Sequence, residues 1–213
     1  TIPHKELALS LADVVSDRAA LVGAANTLTF GEGGRIHADN TDGYGFIANI
    51  ADHVPDWNPK EAPALVLGAG GAARAVVAAL LEKGVPEIRL ANRTEARARA
   101  LRDLFGARVK VVDWIRASDA VEDAGLVVNT TSLGMEGRPA LKLSLDRLSP
   151  GAIVTDVVYT PLKTPLIEEA ARRGAIAVDG LGMLLHQAAP GFERWFDKRP
   201  EVDDDLRRAV LAP

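Results

Sequence analysis

Two residues near the start of the chain have the chemistry to move a proton together. Lys5 stands in "TIPHKE" and Asp42 in "HADNTDGYG". An ammonium beside a carboxylate can hand over a proton and recover it while another bond changes. Residue type alone leaves both open. Lys5 reads equally as a solvated surface lysine. Asp42, following Asn40 and Thr41, has the position of a helix N-cap. Asn26, in "GAANT", has the side chain to tie a turn. His4, His37 and His53 have no second histidine at ligand spacing, so no metal site is expected.

A second set of residues has phosphate chemistry. "LVLGAGGAARAVV" places Gly68, Gly70 and Ala73 in G-x-G-x-x-A spacing. Gly68 allows a tight turn off a strand, Gly70 admits a pyrophosphate to the backbone, and Ala73 lets a helix pack close to a sheet. The free N–H groups at the helix start then face the anion. The alternative is a purely structural glycine turn. The next strand ends in "LANRTEARAR", with Arg93 and Arg97 where an NAD site would carry an acid for the ribose hydroxyl. A guanidinium there suits a 2′-phosphate instead. Arg99 and Arg102 read as a solvated helix face.

These groups need a scaffold. Residues Lys5 to Leu21 carry helical apolar spacing at Leu7, Leu9, Leu11, Val14 and Val15. "GAANTLTF" and "GRIHAD" read as strands joined through "GEGG" in a hairpin. Helical spacing resumes from Asp42 to Ile50. "DHVPDWNPKEAP", Asp52 to Pro63, has three prolines and no period, and is expected to be a linker and domain boundary. Beyond it, "PALVLGAG", "EIRLAN", "RVKVVD", "GLVVNT", "AIVTDVV" and "AIAVDG" are near-continuous apolar runs, the pattern of buried parallel strands. Helices are expected from Gly71 to Lys83, closed by Gly84, and from Thr94 to Phe105. The alternation predicts an α/β, doubly wound (Rossmann) domain. Gly180 to Asp197 reads as a further helix, which Pro190 should kink or end.

Bulk composition narrows the function classes. The chain has 213 residues, room for one large or two modest domains. With 47% hydrophobic and 25% charged residues it is an ordinary globular sequence rather than a disordered one. The net charge of -4, without a basic stripe, argues against nucleic acid or a membrane surface as partner. Cysteine is absent, which excludes disulfides, thiolate metal sites and cysteine nucleophiles and fits a reducing cytoplasm. No apolar run is long enough to span a bilayer.

Taken together, these phrases resemble the shikimate dehydrogenase family, enzymes that reduce 3-dehydroshikimate with NADPH in aromatic amino acid (chorismate) biosynthesis. The likeness covers almost the whole chain. "TIPHK" resembles the family's N-V-T-x-P-x-K motif cut short, "GAANT" its G-A-x-N-T, and "DNTDGYGF" its N-T-D-x-x-G block. "GAGGAAR" and "NRTEAR" are similar to its nucleotide loop and 2′-phosphate segment. "NTTSLGM", "DVVYTPLKTPL" and "GLGMLLHQAAPGFERW" match three later motifs. Eight phrases in order are far more specific than any one of them.

The resemblance implies roles residue by residue. Lys5 is the proton donor and acceptor, and Asp42 is its partner and also holds substrate. Thr1, Asn26, Asp42, Tyr159 and Gln187 contact the substrate. Gly68, Ala69, Gly70, Gly71 and Ala72 cradle the pyrophosphate. Asn92, Arg93, Thr94 and Arg97 face the adenosine 2′-phosphate. Thr131 and Ser132 lie along the cofactor, and Val157, Gly180 and Met183 approach the nicotinamide. The implied cofactor is NADP and the implied partner is the small-molecule substrate; assembly as a homodimer stays open. Residues 1–58 would be the C-terminal part of the substrate-binding domain, 59–180 the NADP-binding domain, and 181–213 helices returning to the first. The family also implies a segment upstream of Thr1 that carries strands of the first sheet and two substrate-binding serines. Two rivals remain: a quinate/shikimate dehydrogenase using NAD or NADP, and a non-catalytic nucleotide-binding regulator, which would be expected to have lost Lys5 or Asp42.

Overall fold

The computed structural model describes residues 4–212. In chain order its elements are α1 (Lys5–Ser10), β1 (Val14–Val15), α2 (Asp17–Val22), β2 (Thr27–Phe30), β3 (Ile36–Asp39) and α3 (Asp42–His53). Next come β4 (Ala64–Leu67), α4 (Gly71–Glu82), β5 (Ile88–Ala91), α5 (Glu95–Phe105), β6 (Val109–Val112), β7 (Leu126–Asn129) and β8 (Ile153–Asp156). The last are α6 (Pro165–Arg172), β9 (Ile176–Val178), α7 (Leu181–Phe196) and α8 (Asp204–Leu211). The chain packs as two units, Thr1–Asn49 with Gly182–Pro213, and Ile50–Leu181. The division falls inside α3, ahead of the proline-rich stretch, because α3 runs on to His53 and the prolines begin only after it.

The first unit holds a three-stranded sheet of order β1-β3-β2. β2 and β3 form the expected antiparallel hairpin, with Thr27 opposite Asp39. The single helix expected from Lys5 to Leu21 does not form. Asp13 and Ser16 instead send their N–H groups to the carbonyls of Ile36 and Ala38 on β3. The intervening Val14 and Val15 pair in parallel with His37 and Ala38. Ser16 then caps a new helix by accepting from the Ala19 N–H, and Gly23, at φ 69°, closes it in the left-handed region. Sheet pairing outweighs local helical spacing here.

The second unit is a six-stranded, wholly parallel sheet of order β6-β5-β4-β7-β8-β9. Every residue of β4, β7 and β8 is buried, as their apolar runs require. The chain winds outward from β4 to β6 and returns to lay β7 against the other side of β4. That reversal is a topological switch point, where open α/β sheets bind ligands beyond the carboxyl ends of their strands. Ala73, with no exposed surface, lets α4 lie close to the sheet.

Pro190 does not end α7, which is helical from Leu181 to Phe196. Proline removes one backbone donor. Burial of Met183, Leu185, His186 and Ala189 holds the helix across that gap.

Candidate active site

Lys5 lies in the first turn of α1 and Asp42 in the first turn of α3, 37 residues apart in sequence. Folding places the lysine Nζ 2.7 Å from each carboxylate oxygen. The Asp42 side chain is almost fully buried, whereas Lys5 keeps about a fifth of its side-chain surface exposed. An ammonium carries three protons. Two point at Asp42, and no acceptor among the described residues takes the third. Lys5 is held from its backbone as well, because its carbonyl accepts from the Ala25 N–H at 2.8 Å.

Asn26 joins the same cluster. Its Nδ2 donates to Asp42 Oδ1 at 3.0 Å and to Thr41 Oγ1 at 2.8 Å. Its Oδ1 accepts from the Thr41 N–H and the Thr27 hydroxyl. The amide is thus also a brace for the turn that delivers Asp42.

Asp42 is not the cap of its helix. Asn40 fixes the turn into the helix: its Oδ1 accepts from the Asp42 N–H at 3.0 Å while its Nδ2 donates to the Ala24 carbonyl at 3.0 Å. One buried side chain therefore ties the Asn26 loop to the start of α3. Asp39, just upstream, is buried and receives Ser16, Arg18, Arg194 and the Asn40 N–H. Burial pushes its carboxyl upward, but the donations from Ser16, the Asn40 N–H, Arg194 and Arg18 together hold it below its ordinary value. Sequence reasoning missed Asn40 and Asp39. The Asn two residues before a helix start was a readable signal for Asn40. Asp39 had none, since Arg194 is 155 residues away.

Gln187 is half-buried on α7, and its carbonyl accepts from the Thr41 hydroxyl at 2.7 Å. The approach of α7 is close at Gly45, where a Cβ would sit 2.7 Å from both the Gln187 nitrogen and the Met183 carbonyl oxygen. Met183 itself is buried on α7, in the unit that contains Lys5. Thr1 lies outside the described residues.

The glycine loop leaves β4 in the second unit. Gly68 has φ 108°, and a Cβ there would meet the Thr130 hydroxyl at 2.5 Å, so glycine is required on both counts. Gly70 and Gly71 differ. A Cβ on either meets nothing within 4 Å, and no side chain caps α4. The backbone N–H groups at the start of α4 therefore open onto space, with Ala69 and Ala72 beside it. That is the requirement for a pyrophosphate.

At the end of β5 there is no carboxylate. Asn92 turns back to donate to the Thr94 carbonyl at 2.8 Å. Glu95, the nearest acid, is engaged by Arg99 at 2.7 Å. Arg93 and Arg97 are exposed, and neither side chain has an ion-pair partner among the described residues. Two uncommitted guanidiniums at this strand tip fit the 2′-phosphate of NADP.

The carboxyl ends of β7 and β8 are joined by buried polar groups. Asp156 accepts from Asn129 Nδ2 at 2.9 Å, the Val158 N–H at 3.0 Å and the Thr164 hydroxyl at 2.8 Å. Burial pushes its carboxyl above its ordinary value despite these donors. The Thr131 hydroxyl donates to Asn129 Oδ1 and accepts from the Leu133 N–H. It is therefore spent on the turn, and the Ser132 carbonyl closes that turn by accepting from Met135 N–H. Val157 precedes the anchored Val158, and Tyr159, half exposed, follows it. Gly180 must be glycine because a Cβ would lie 2.7 Å from the carbonyl oxygens of Asp156 and Val158.

Comparison with known proteins points to one family. The family model for "Shikimate / quinate 5-dehydrogenase" matches residues 49–135, and that for "Shikimate 5'-dehydrogenase C-terminal domain" matches residues 180–210. A shikimate dehydrogenase (NADP(+)) of Paracoccus denitrificans is 68% identical, over 100% of this chain and 75% of the relative. Among solved structures, quinate dehydrogenase from Corynebacterium glutamicum in complex with NAD is 33% identical with a TM-score of 0.90, covering 99% of this chain and 76% of its own. Shikimate 5-dehydrogenase from Thermus thermophilus in complex with NADP(H) and shikimate is 39% identical with a TM-score of 0.82, covering 94% and 73%.

Proposed function

The chain belongs to the shikimate dehydrogenase family, and on that premise we propose that it catalyses the reversible NADP-dependent reduction of 3-dehydroshikimate to shikimate. The observation that carries the reading is the Lys5–Asp42 pair, a lysine held by both oxygens of one buried carboxylate with a proton to spare.

When bound, the reduced dinucleotide supplies the hydride that turns the ketone carbon into a carbinol. Lys5 gives its third proton to the oxygen of that carbonyl, and its positive charge stabilises the oxygen as negative charge develops there. In the reverse direction the same nitrogen recovers the proton from the hydroxyl. Asp42 fixes the ammonium in rotation, so that the free proton has one direction. Asn26 and Asn40 fix Asp42 in turn. Binding of the dinucleotide falls to residues 68–72 and, at the 2′-phosphate, to Arg93 and Arg97. Asn26, Asp42, Tyr159 and Gln187 are proposed to take the substrate hydroxyls and the carboxylate side of the ring. In this reading Thr1 contributes as well.

The quinate/shikimate alternative using either nucleotide is not favoured. Highly identical relatives are NADP enzymes by name, and β5 ends without the acid that NAD would want. A non-catalytic regulator has no use for the paired Lys5 and Asp42, and both are present. A biosynthetic enzyme on a small soluble substrate suits the cytoplasm and needs neither nucleic acid nor membrane. The test is direct: the protein is given shikimate with NADP and with NAD, and quinate with each. Rapid NADPH formation from shikimate supports the reading. Equal turnover of quinate, or none with shikimate, contradicts it.

A further inference from the structure

The Asp156 carboxylate has no hydrogen bond to a residue assigned above to substrate or cofactor, yet Asp156 is buried at 1% exposure. Burying a carboxylate is costly unless donors surround it. Three surround this one. They come from three different segments: Asn129 at the end of β7, Val158 beyond the end of β8, and Thr164 at the start of α6. Asn129 and Thr164 are themselves fully buried.

Each donor is tied to a further group. Asn129 also sends Nδ2 to the Leu133 carbonyl and accepts from both the N–H and the hydroxyl of Thr131. It thereby sets the turn 130–134. Thr164 accepts from the Ile167 N–H as the N-cap of α6, so one hydroxyl faces both the helix and Asp156. Val158 lies between Val157 and Tyr159. On its other side the backbone of residues 156–158 is pressed by Gly180. The peptide bearing Val157 and Tyr159 is thus fixed by Asp156 on one side and by Gly180 on the other.

We propose that Asp156 is a positioning residue for the reaction: through Asn129, Val158 and Thr164 it sets the segments carrying Thr131, Val157 and Tyr159. The inference rests on the proposed function, because it assigns those segments to the cofactor and substrate. A buried network of this kind holds one geometry, since any rotation of a member strands a polar group where no water replaces it. The turn 130–134 does reach β4, where Thr130 donates its N–H and its hydroxyl to the Leu67 carbonyl, but among the described residues Arg93 and Arg97, beyond the tip of β5, take no bond from this network. Asp156 should therefore govern the reacting end of the site and leave the 2′-phosphate end alone.

The test compares Asp156→Asn, Thr164→Val and Thr164→Ser with the wild type. Three quantities are measured: kcat and KM for shikimate, the deuterium isotope effect on hydride transfer, and the Kd of adenosine 2′,5′-bisphosphate. Wild-type shikimate oxidation is the control; its absence overturns the functional reading and not this one. The expected result for Asp156→Asn and Thr164→Val is a fall of about 10- to 100-fold in kcat/KM for shikimate, the worth of a lost bond to a charged acceptor. KM should rise and the isotope effect should grow, with the bisphosphate Kd within about twofold of wild type. Thr164→Ser keeps the hydroxyl and should restore most of the activity. If Thr164→Val does not fold, Asp156→Asn and Thr164→Ser still decide the matter. The proposal is overturned if folded Asp156→Asn keeps wild-type kcat/KM. It is overturned equally if the loss is one of active fraction alone, with KM and isotope effect unchanged, or if the bisphosphate Kd weakens in step.

Discussion

Asn26 donates to the same Asp42 oxygen that Lys5 engages, at 3.0 Å and 2.7 Å respectively. The carboxylate is therefore oriented from two sides, by a charge and by an amide. Asn26→Ala removes one side and leaves Asp42 free to turn. Loss of a bond to a charged group lowers kcat/KM for shikimate by about 10- to 100-fold. NADPH affinity should be unaffected. Steady-state kinetics with shikimate and direct titration of NADPH measure the two effects separately, and an unchanged kcat/KM contradicts the bracing role.

Arg93 has no ion-pair partner among the described residues and is proposed to take the 2′-phosphate. Arg93→Ala is expected to reduce kcat/KM with NADPH by about 10- to 100-fold, as removal of a charge-assisted contact does. The rate with NADH should barely move. Adding Arg97→Ala should widen the loss. A variant with the wild-type ratio of NADPH to NADH use removes the 2′-phosphate assignment.

Asp39 links fold stability to acid. Its carboxyl sits below the ordinary value in the folded chain, so its ionised form stabilises the fold above the ordinary carboxylate range. That contribution disappears as pH falls through the folded value. Asp39→Asn is expected to cost about 1–3 kcal/mol at pH 7. The gap to wild type should close as the pH falls below the ordinary carboxylate range and through the folded value. Urea unfolding across that range measures it, and a gap independent of pH contradicts the linkage.

Two glycines of different setting give a paired test. A Cβ at Gly45 runs into the α7 backbone at 2.7 Å, whereas one at Gly70 meets nothing within 4 Å. Gly45→Ala should destabilise the fold by about 1–3 kcal/mol through overpacking. Gly70→Ala should leave stability within about 1 kcal/mol, its φ of -96° being ordinary for alanine. It should nonetheless weaken NADPH, whose pyrophosphate needs the space a methyl would fill. Denaturant midpoints and NADPH titrations separate the two variants.

The second unit was legible because its central strands, β4, β7 and β8, are buried on both faces and so appear as uninterrupted apolar runs, with glycines at the turn that needs them. Val14 and Val15 were misread as helix. Their strand is two residues long and exists only because β3 lies alongside, which no local pattern records. Pro190 was given too much weight for a similar reason, since buried neighbours on α7 carry the helix across it. Residue type singled out Lys5 and Asp42 as a pair suited to proton transfer but left an ordinary reading open for each; the family likeness is what favoured the catalytic one. Asp39 and Asp156 escaped notice because what makes them important is burial among donors drawn from distant segments. The bonds of the Thr131 hydroxyl within its own turn likewise leave no mark in a local pattern.

The role of Lys5 admits the most direct measurement. Lys5→Ala removes the proposed proton donor and leaves residues 68–72, Arg93 and Arg97 untouched. Its kcat for shikimate oxidation should fall by about 10²- to 10⁴-fold, the usual worth of a positioned acid–base group. Its NADPH Kd should stay within about twofold of wild type. A variant that retains turnover, or one that loses NADPH affinity in proportion to turnover, contradicts the assignment of Lys5 as the group that moves the proton.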